Sequence, residues 1–300
     1  MTLIDSVVSD NAAGGGGAIF NGGTLTIINS RIVNNNAEGQ GGGIFNGGNL
    51  ELDGVILQNN RSRGGGALSN WGNVEAVRMS ISDNRARLGG GGVLNTAVGN
   101  LNMDSVTIDN NSTMAGGGIR NFGHSTLVNS TISLNSALAG GGIENWKNFY
   151  IANSTLTSNE SDKGGGINIR RRSFTDPETE LTGTILAGNS SAEGADCYGG
   201  VSSIGNNLIG INADCNYRAG PSDLVGTSHQ PLNPLLGPLG NNGGPTRTHA
   251  LMALSPAIDA GRSESEPSLD QRRVPRAQIG RTDIGSFERQ PATPLPEGVN

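Results

Sequence analysis

Gly116-Gly117-Gly118-Ile119-Arg120-Asn121, Asn129-Ser130-Thr131-Ile132-Ser133-Leu134-Asn135 and Gly140-Gly141-Gly142-Ile143-Glu144-Asn145 follow one another along a short stretch of the chain. They hold two motifs. The first, Gly-Gly-small-apolar-x-Asn, has copies ending at Asn21, Asn46, Asn70, Asn95, Asn121 and Asn145, and Gly164–Ile169 is a seventh copy without the asparagine. Its third residue falls at 18, 43, 67, 92, 118, 142 and 166, in steps of 25, 24, 25, 26, 24 and 24. The second, small-x-apolar-x-x-Asn, reads to end at Asn11, Asn35, Asn59, Asn84, Asn111, Asn135, Asn159 and Asn189. Two independent motifs with one period near 24 residues make chance an inadequate explanation.

Between them lie short alternating segments such as Leu25-Thr26-Ile27, Leu50-Glu51-Leu52, Leu101-Asn102-Met103 and Phe149-Tyr150-Ile151. Three short pieces with period-two alternation per repeat, divided by Gly and Asn, read as three strands and three turns. That is one coil of a solenoid. No window has the 3.6-residue period of a helix, and Gly (49) and Asn (35) are both poor helix formers. The fold class expected is all-β: a right-handed parallel β-helix of about 24 residues per coil with an irregular C-terminal cap.

Stacking explains the composition. Coils ~4.8 Å apart put each residue over its counterpart in the next coil. Ile32, Ile56, Ile81, Ile108, Ile132 and Leu156 then form an aliphatic column. The asparagines form hydrogen-bonded ladders and tolerate the left-handed backbone of tight bends. A leucine-rich repeat shares the period but needs a Leu-x-x-Leu-x-Leu run, and calcium-binding nonapeptide rolls need aspartates that these glycine clusters lack.

The repeats resemble the right-handed parallel β-helix units of bacterial surface proteins related to polymorphic outer-membrane proteins, over residues 3–189. The C-terminal third changes character, for all twelve prolines lie at or after Pro177. Asn233-Pro234-Leu235-Leu236-Gly237-Pro238-Leu239, Asn242–Thr246, Ser255–Gly261, Asp270-Gln271-Arg272 and Asp283–Glu288 resemble the "choice-of-anchor" type Q module over about 190–289. Arg273 stands where that module's Asp-Gln-Arg element has glycine, which challenges the turn there. The organisation read is 1–189 repeats with a truncated N-terminus and no signal peptide, 190–289 coil and cap, and 290–300 a Pro/Thr-rich tail. The resemblance implies export, and a secreted or cell-surface location.

The chemistry is sparse. Cys197 and Cys215, 18 residues apart and without other cysteines, are expected to close a disulfide, the alternative being two buried thiols. Acidic-polysaccharide enzymes on this scaffold set carboxylates side by side, and a glycosidic bond needs two of them roughly 5–9.5 Å apart. Glu51 and Glu75 share a column and are the one such pair; the column continues as Thr26, Asn102, Thr126 and Tyr150. Arg170-Arg171-Arg172 reads as the only dense basic run, suited to an anionic glycan or to a solvated loop. Asp259, Asp270 and Asp283 read as structural partners of Arg272 and Arg281. A third reading, an outward array of the kind that binds ice or repetitive carbohydrate, has Thr107, Thr131 and Thr155 in one column with Asp109, Ser133 and Thr157 two residues on, but three coils is short for it. His124, His229 and His249 are scattered, and no metal or cofactor motif occurs.

The net charge of −6 with two lysines argues against nucleic acid, and no stretch approaches ~20 apolar residues. The function expected is therefore non-enzymatic: an exported bacterial β-helix, adhesin-like or structural, in contact with cell-surface polysaccharide or with a host or neighbouring cell surface. The alternative is a polysaccharide lyase or glycoside hydrolase using Glu51 and Glu75, or Arg170, Arg171 and Arg172.

Overall fold

The computed structural model describes residues 1–170, 179–262, 268–276 and 281–290. It is all-β among those residues, a parallel β-solenoid with neighbouring coils about 24 residues apart. Each coil carries three strands. Face 1 holds the longest ones, such as Asn49–Asp53, Asn73–Val77 and Asn100–Asp104. Face 2 is a ten-stranded sheet of short strands, among them Arg31–Val33, Thr107–Asp109 and Thr131–Ser133. Face 3 includes Ile19–Asn21, Ile44–Asn46 and Ile119–Asn121. A small fourth sheet, Ala12–Ala13, Asn36–Ala37, Arg61–Gly64 and Arg85–Gly89, edges the first coils.

The alternation sorts side chains in and out. Leu50, Leu52, Leu101 and Met103 on face 1, and Ile44, Leu68, Ile119 and Ile143 on face 3, fill one continuous core. Each fully buried aliphatic side chain contributes ~1.5–3 kcal/mol. On face 2 the core column is Ile32, Leu57, Ile81, Ile108, Ile132 and Leu156. Leu57 therefore replaces the expected Ile56, which pairs with Arg31 and Ser80 and faces outward. The ladder asparagine of that coil is likewise Asn60 rather than Asn59. Asn59 has φ 55° and forms the left-handed bend just before the ladder. With Val55-Ile56-Leu57 and Asn59-Asn60 both doubled, a shift of one residue satisfies the motif equally well, and only burial of the correct face decides the register.

The asparagine ladder runs in one direction. Asn35, Asn60, Asn84, Asn111, Asn135 and Asn159 each donate both the backbone N–H and Nδ2 to the Oδ1 of the next rung, at 2.9–3.1 Å. Asn189 donates to Asp196 Oδ1 at 3.0 and 2.9 Å, so the ladder ends on a group that only accepts. A second ladder through Asn46, Asn70, Asn95 and Asn121 lines the bend after face 3. The glycine triplets cross the corner between the fourth sheet and face 3. A Cβ on Gly117 would lie 2.2 Å from the Gly141 carbonyl oxygen of the next coil, a separation no side chain tolerates.

Parallel pairing continues past residue 189. Cys197–Gly205 pairs with Cys215–Arg218, and Leu208–Ile209 with Leu224–Val225. A disulfide between Cys197 and Cys215 ties these coils together. The following chain turns back along face 2. Its apolar part packs Leu251, Ala257, Ile284 and Phe287 on Ile185, Ala187 and Leu208. Its polar part reaches Ser105, whose carbonyl accepts from Thr246 at 3.2 Å. Arg273 keeps the tight turn with φ 71°, its N–H donating to the Asp270 carbonyl at 2.9 Å.

Candidate functional site

Face 2 holds the threonine column. Thr107, Thr131 and Thr155 do share a column. They are covered rather than outward, with no more than 1 % of each exposed. Gln271 inserts between them: its Oε1 accepts from Thr131 at 2.6 Å and its Nε2 donates to Thr107 at 2.9 Å. Ser286 reaches Thr155 at 3.1 Å. On the neighbouring column Arg247 pairs with the buried Asp109 at 2.6 Å. Burial still raises the Asp109 carboxyl above its ordinary value, outweighing that arginine. His249 Nδ1 faces the Gly237 carbonyl at 2.7 Å and therefore carries the proton, so Nε2 accepts from the Ser133 hydroxyl at 2.9 Å. Burial lowers this histidine's pKa, in keeping with a neutral ring. The array is a docking surface for the chain's own C-terminal third.

The aspartates of that segment are structural acceptors. Asp270 holds Arg272 at 2.7 Å, and Arg272 lies 3.6 Å from the Phe287 ring centre. Asp283 accepts the backbone N–H of Asp259 at 2.8 Å. Arg281 donates to the carbonyls of Ala260 and Gly261.

Face 1 brings Glu51 and Glu75 into register on adjacent coils. Each carboxylate leans away from the other: Glu51 accepts from Thr26 on the preceding coil at 3.1 Å, Glu75 from Asn102 on the following coil at 2.6 Å. Both are exposed on an open sheet. The same column continues to Tyr150 and then Glu180, which lines a shallow groove with His124 and Asn102. Glu180 stands four coils from Glu75, about 19 Å at the strand spacing, too far for a paired-carboxylate cleavage.

Face 3 gathers six of the eleven aromatic residues. The chain has only 6 Phe, 3 Tyr and 2 Trp, yet Phe20, Phe45, Trp71, Phe122, Trp146 and Tyr198 all lie along this face or its corner. Phe20 and Phe45 stack with ring centres 4.9 Å apart, and Trp71 extends the stack at 6.4 Å. Its indole N–H donates to Gln40 at 2.7 Å. Phe122 and Trp146 make a second stack at 5.5 Å. Guanidinium groups border it, Arg120 lying 4.8 Å from Phe122 and Arg170 5.3 Å from Trp146. The buried Glu144 pairs with Arg120 at 2.7 Å and with Arg170 at 3.9 Å. Arg170 is thus engaged at this corner, while Arg171 and Arg172 lie outside the described residues. Leu94 and Arg120 line a groove of ≈ 470 Å³ alongside.

No family model, no curated protein and no solved structure matches the chain. Among the described residues no three His, Cys, Asp or Glu side chains converge to hold a metal, and no helix is long and apolar enough to cross a membrane. The aromatic face was legible only in part. Ile-Phe-Asn recurs at 19–21 and 44–46, 25 residues apart, but Trp71, Phe122 and Trp146 sit one position beyond the ladder asparagine. The motif alone therefore does not align them with the phenylalanines.

Proposed function

We propose that this chain is an exported, non-enzymatic bacterial β-helix that presents a rigid face to glycans at a cell surface, as adhesin-like or structural material. In this reading the repeats are of the polymorphic outer-membrane-protein type and the C-terminal third is an anchor-associated module. The observation that carries it is the aromatic line Phe20–Phe45–Trp71 and Phe122–Trp146 on face 3. Sugar rings stack on aromatic faces, and a fixed line of them on a solenoid suits an extended, repetitive ligand. Phe20 is 68 % and Trp71 45 % exposed, a position that burial does not explain. The disulfide supports an oxidising compartment.

The test is electrophoresis through gels containing neutral glucan, xylan, pectin or alginate. The expected result is retardation by at least one neutral glycan, weakened about fivefold by Trp71→Ala, the worth of ~1 kcal/mol in one ring contact. Equal retardation of the variant, or none in any gel, defeats the reading. Turnover of a glycan that Glu51→Ala abolishes would establish the enzymatic alternative instead.

A further inference from the structure

The fourth sheet holds four arginines that the sequence does not place together at first sight. Arg61-Ser62-Arg63 and Arg85-Ala86-Arg87 are Arg-x-Arg pairs separated by one period of 24. Arg61 pairs with Arg85, and Ser62 with Ala86, in parallel register. Alternation turns Ser62 and Ala86 inward, leaving all four arginines exposed on one side. Together with Asn36 and Glu38 they line a trough of ≈ 550 Å³. The trough continues along the solenoid past Ser112 and Ser136.

Among the described residues these charges have no acidic partner. Arg78, Arg120, Arg170, Arg247, Arg272 and Arg276 each make an ion pair. Among the described residues, none of Arg61, Arg63, Arg85 and Arg87 does. The chain is acidic overall, with 26 acidic against 20 basic residues, so four unpaired guanidinium groups on two adjacent rungs are a concentration against the average. Like charges ~5 Å apart repel by nearly 1 kcal/mol per pair even in water, and a bound anion removes that cost.

We propose that this trough binds a linear acidic polysaccharide through its carboxylate or sulfate groups. Guanidinium groups match such planar or trigonal anions with two parallel hydrogen bonds. Rungs ~4.8 Å apart present them as a regular row, which a polymer bearing one anion per sugar or per disaccharide can follow. A nucleic acid fits less well. No aromatic side chain lines the trough to stack a base, and its far end carries Glu160 and Asp162. The inference rests on the glycan-contacting reading above but on a different surface.

Binding of polygalacturonate, heparin, neutral dextran and single-stranded DNA of matched charge is measured by affinity electrophoresis and titration across salt. Tight binding of an acidic glycan, and not of dextran, is expected. Arg61→Ala/Arg85→Ala should weaken it at least about tenfold, and lower the slope of log K against log salt by roughly two. Arg61→Lys/Arg85→Lys should recover the slope but not the full affinity. The four side chains are exposed, so far-UV dichroism serves to confirm that the variants are folded. Unchanged affinity in the alanine variant overturns the proposal, as does DNA binding equal to that of the glycan. Trp71→Ala separates the two surfaces. If it abolishes neutral-glycan retardation while the arginine variant binds acidic glycan normally, the general reading stands and this inference falls.

Discussion

Replacing Asn111 by alanine tests the ladder directly. The side chain is fully buried. It donates from Nδ2 to the Ile81 carbonyl at 2.9 Å and to Asn135 Oδ1 at 3.0 Å. It accepts from the backbone N–H and the Nδ2 of Asn84, both at 3.0 Å. Alanine removes all four bonds. Asn84 Nδ2 keeps the carbonyls of Leu57 and Ser82, and Asn135 Oδ1 keeps the Asn111 N–H at 3.0 Å. The Asn84 backbone N–H loses its acceptor in a site no water reaches. An orphaned buried donor costs ~1–3 kcal/mol and the lost bonds ~1 kcal/mol more, so a loss of about 3 kcal/mol is expected. Asn11→Ala at the exposed end of the same ladder removes one rung contact and orphans no buried donor, so it should cost under ~1 kcal/mol. Equilibrium unfolding in urea, followed by far-UV dichroism, measures both. Equal and small losses for Asn111→Ala and Asn11→Ala would refute the ladder as a source of stability.

Two further outcomes follow from buried geometry. Burial raises the Asp196 carboxyl to about 6 from 3.8 despite the N–H donors of Asn189 and Ile211. Between these values the native state holds a proton that the unfolded chain releases. This contribution is therefore present below pH ~4 and is lost as pH rises to ~6, by about 3 kcal/mol. Unfolding at both pH values should show Asp196→Asn without that component; an unchanged difference would contradict it. Gly117→Ala places its Cβ 2.2 Å from the Gly141 oxygen and should destabilise by about 3 kcal/mol. Gly43→Ala brings its Cβ to 2.8 Å from the Ala67 carbonyl oxygen, a smaller overlap at a position where the next coil already holds Ala67, and should cost less than Gly117→Ala. Thermal melts rank the two, and the reverse order would disprove this account of the triplets.

The coil, its period and most of its ladders could be read from the sequence because stacking repeats each environment. The same environment then selects the same residue type at every turn. The register is ambiguous by one residue at Ile56 and Asn59, where apolar and amide residues are doubled and nothing local breaks the tie. Nothing local marks Thr107, Thr131 and Thr155 as covered, because the groups that cover them, Gln271 and Ser286, lie more than 130 residues away. The candidate surfaces were hardest to see. Phe45 and Trp71 differ in motif position, and the arginine row becomes a row only when Arg61 is laid on Arg85. Periodicity in the core residues sets the register, while the outward positions are free to vary and show their grouping only once that register is imposed.

The one-way ladder gives the stack an arrow. Every internal rung accepts from the coil before it and donates to the coil after it, so at the ladder each coil meets its neighbours in the same way. Duplication or loss of a whole coil leaves donors facing acceptors at the new junction; loss of a fraction does not. The step from Asn159 to Asn189 is 30 residues, yet the rung closes at the same 3.0 Å as the 24-residue step from Asn111 to Asn135. On either side of the longer step, Ile169 stays in register with Asn145 and Thr179 with Phe149. Proteins built on this plan can lengthen in quanta of one coil, each adding ~4.8 Å to the stack, and can acquire new loops without changing their length at all.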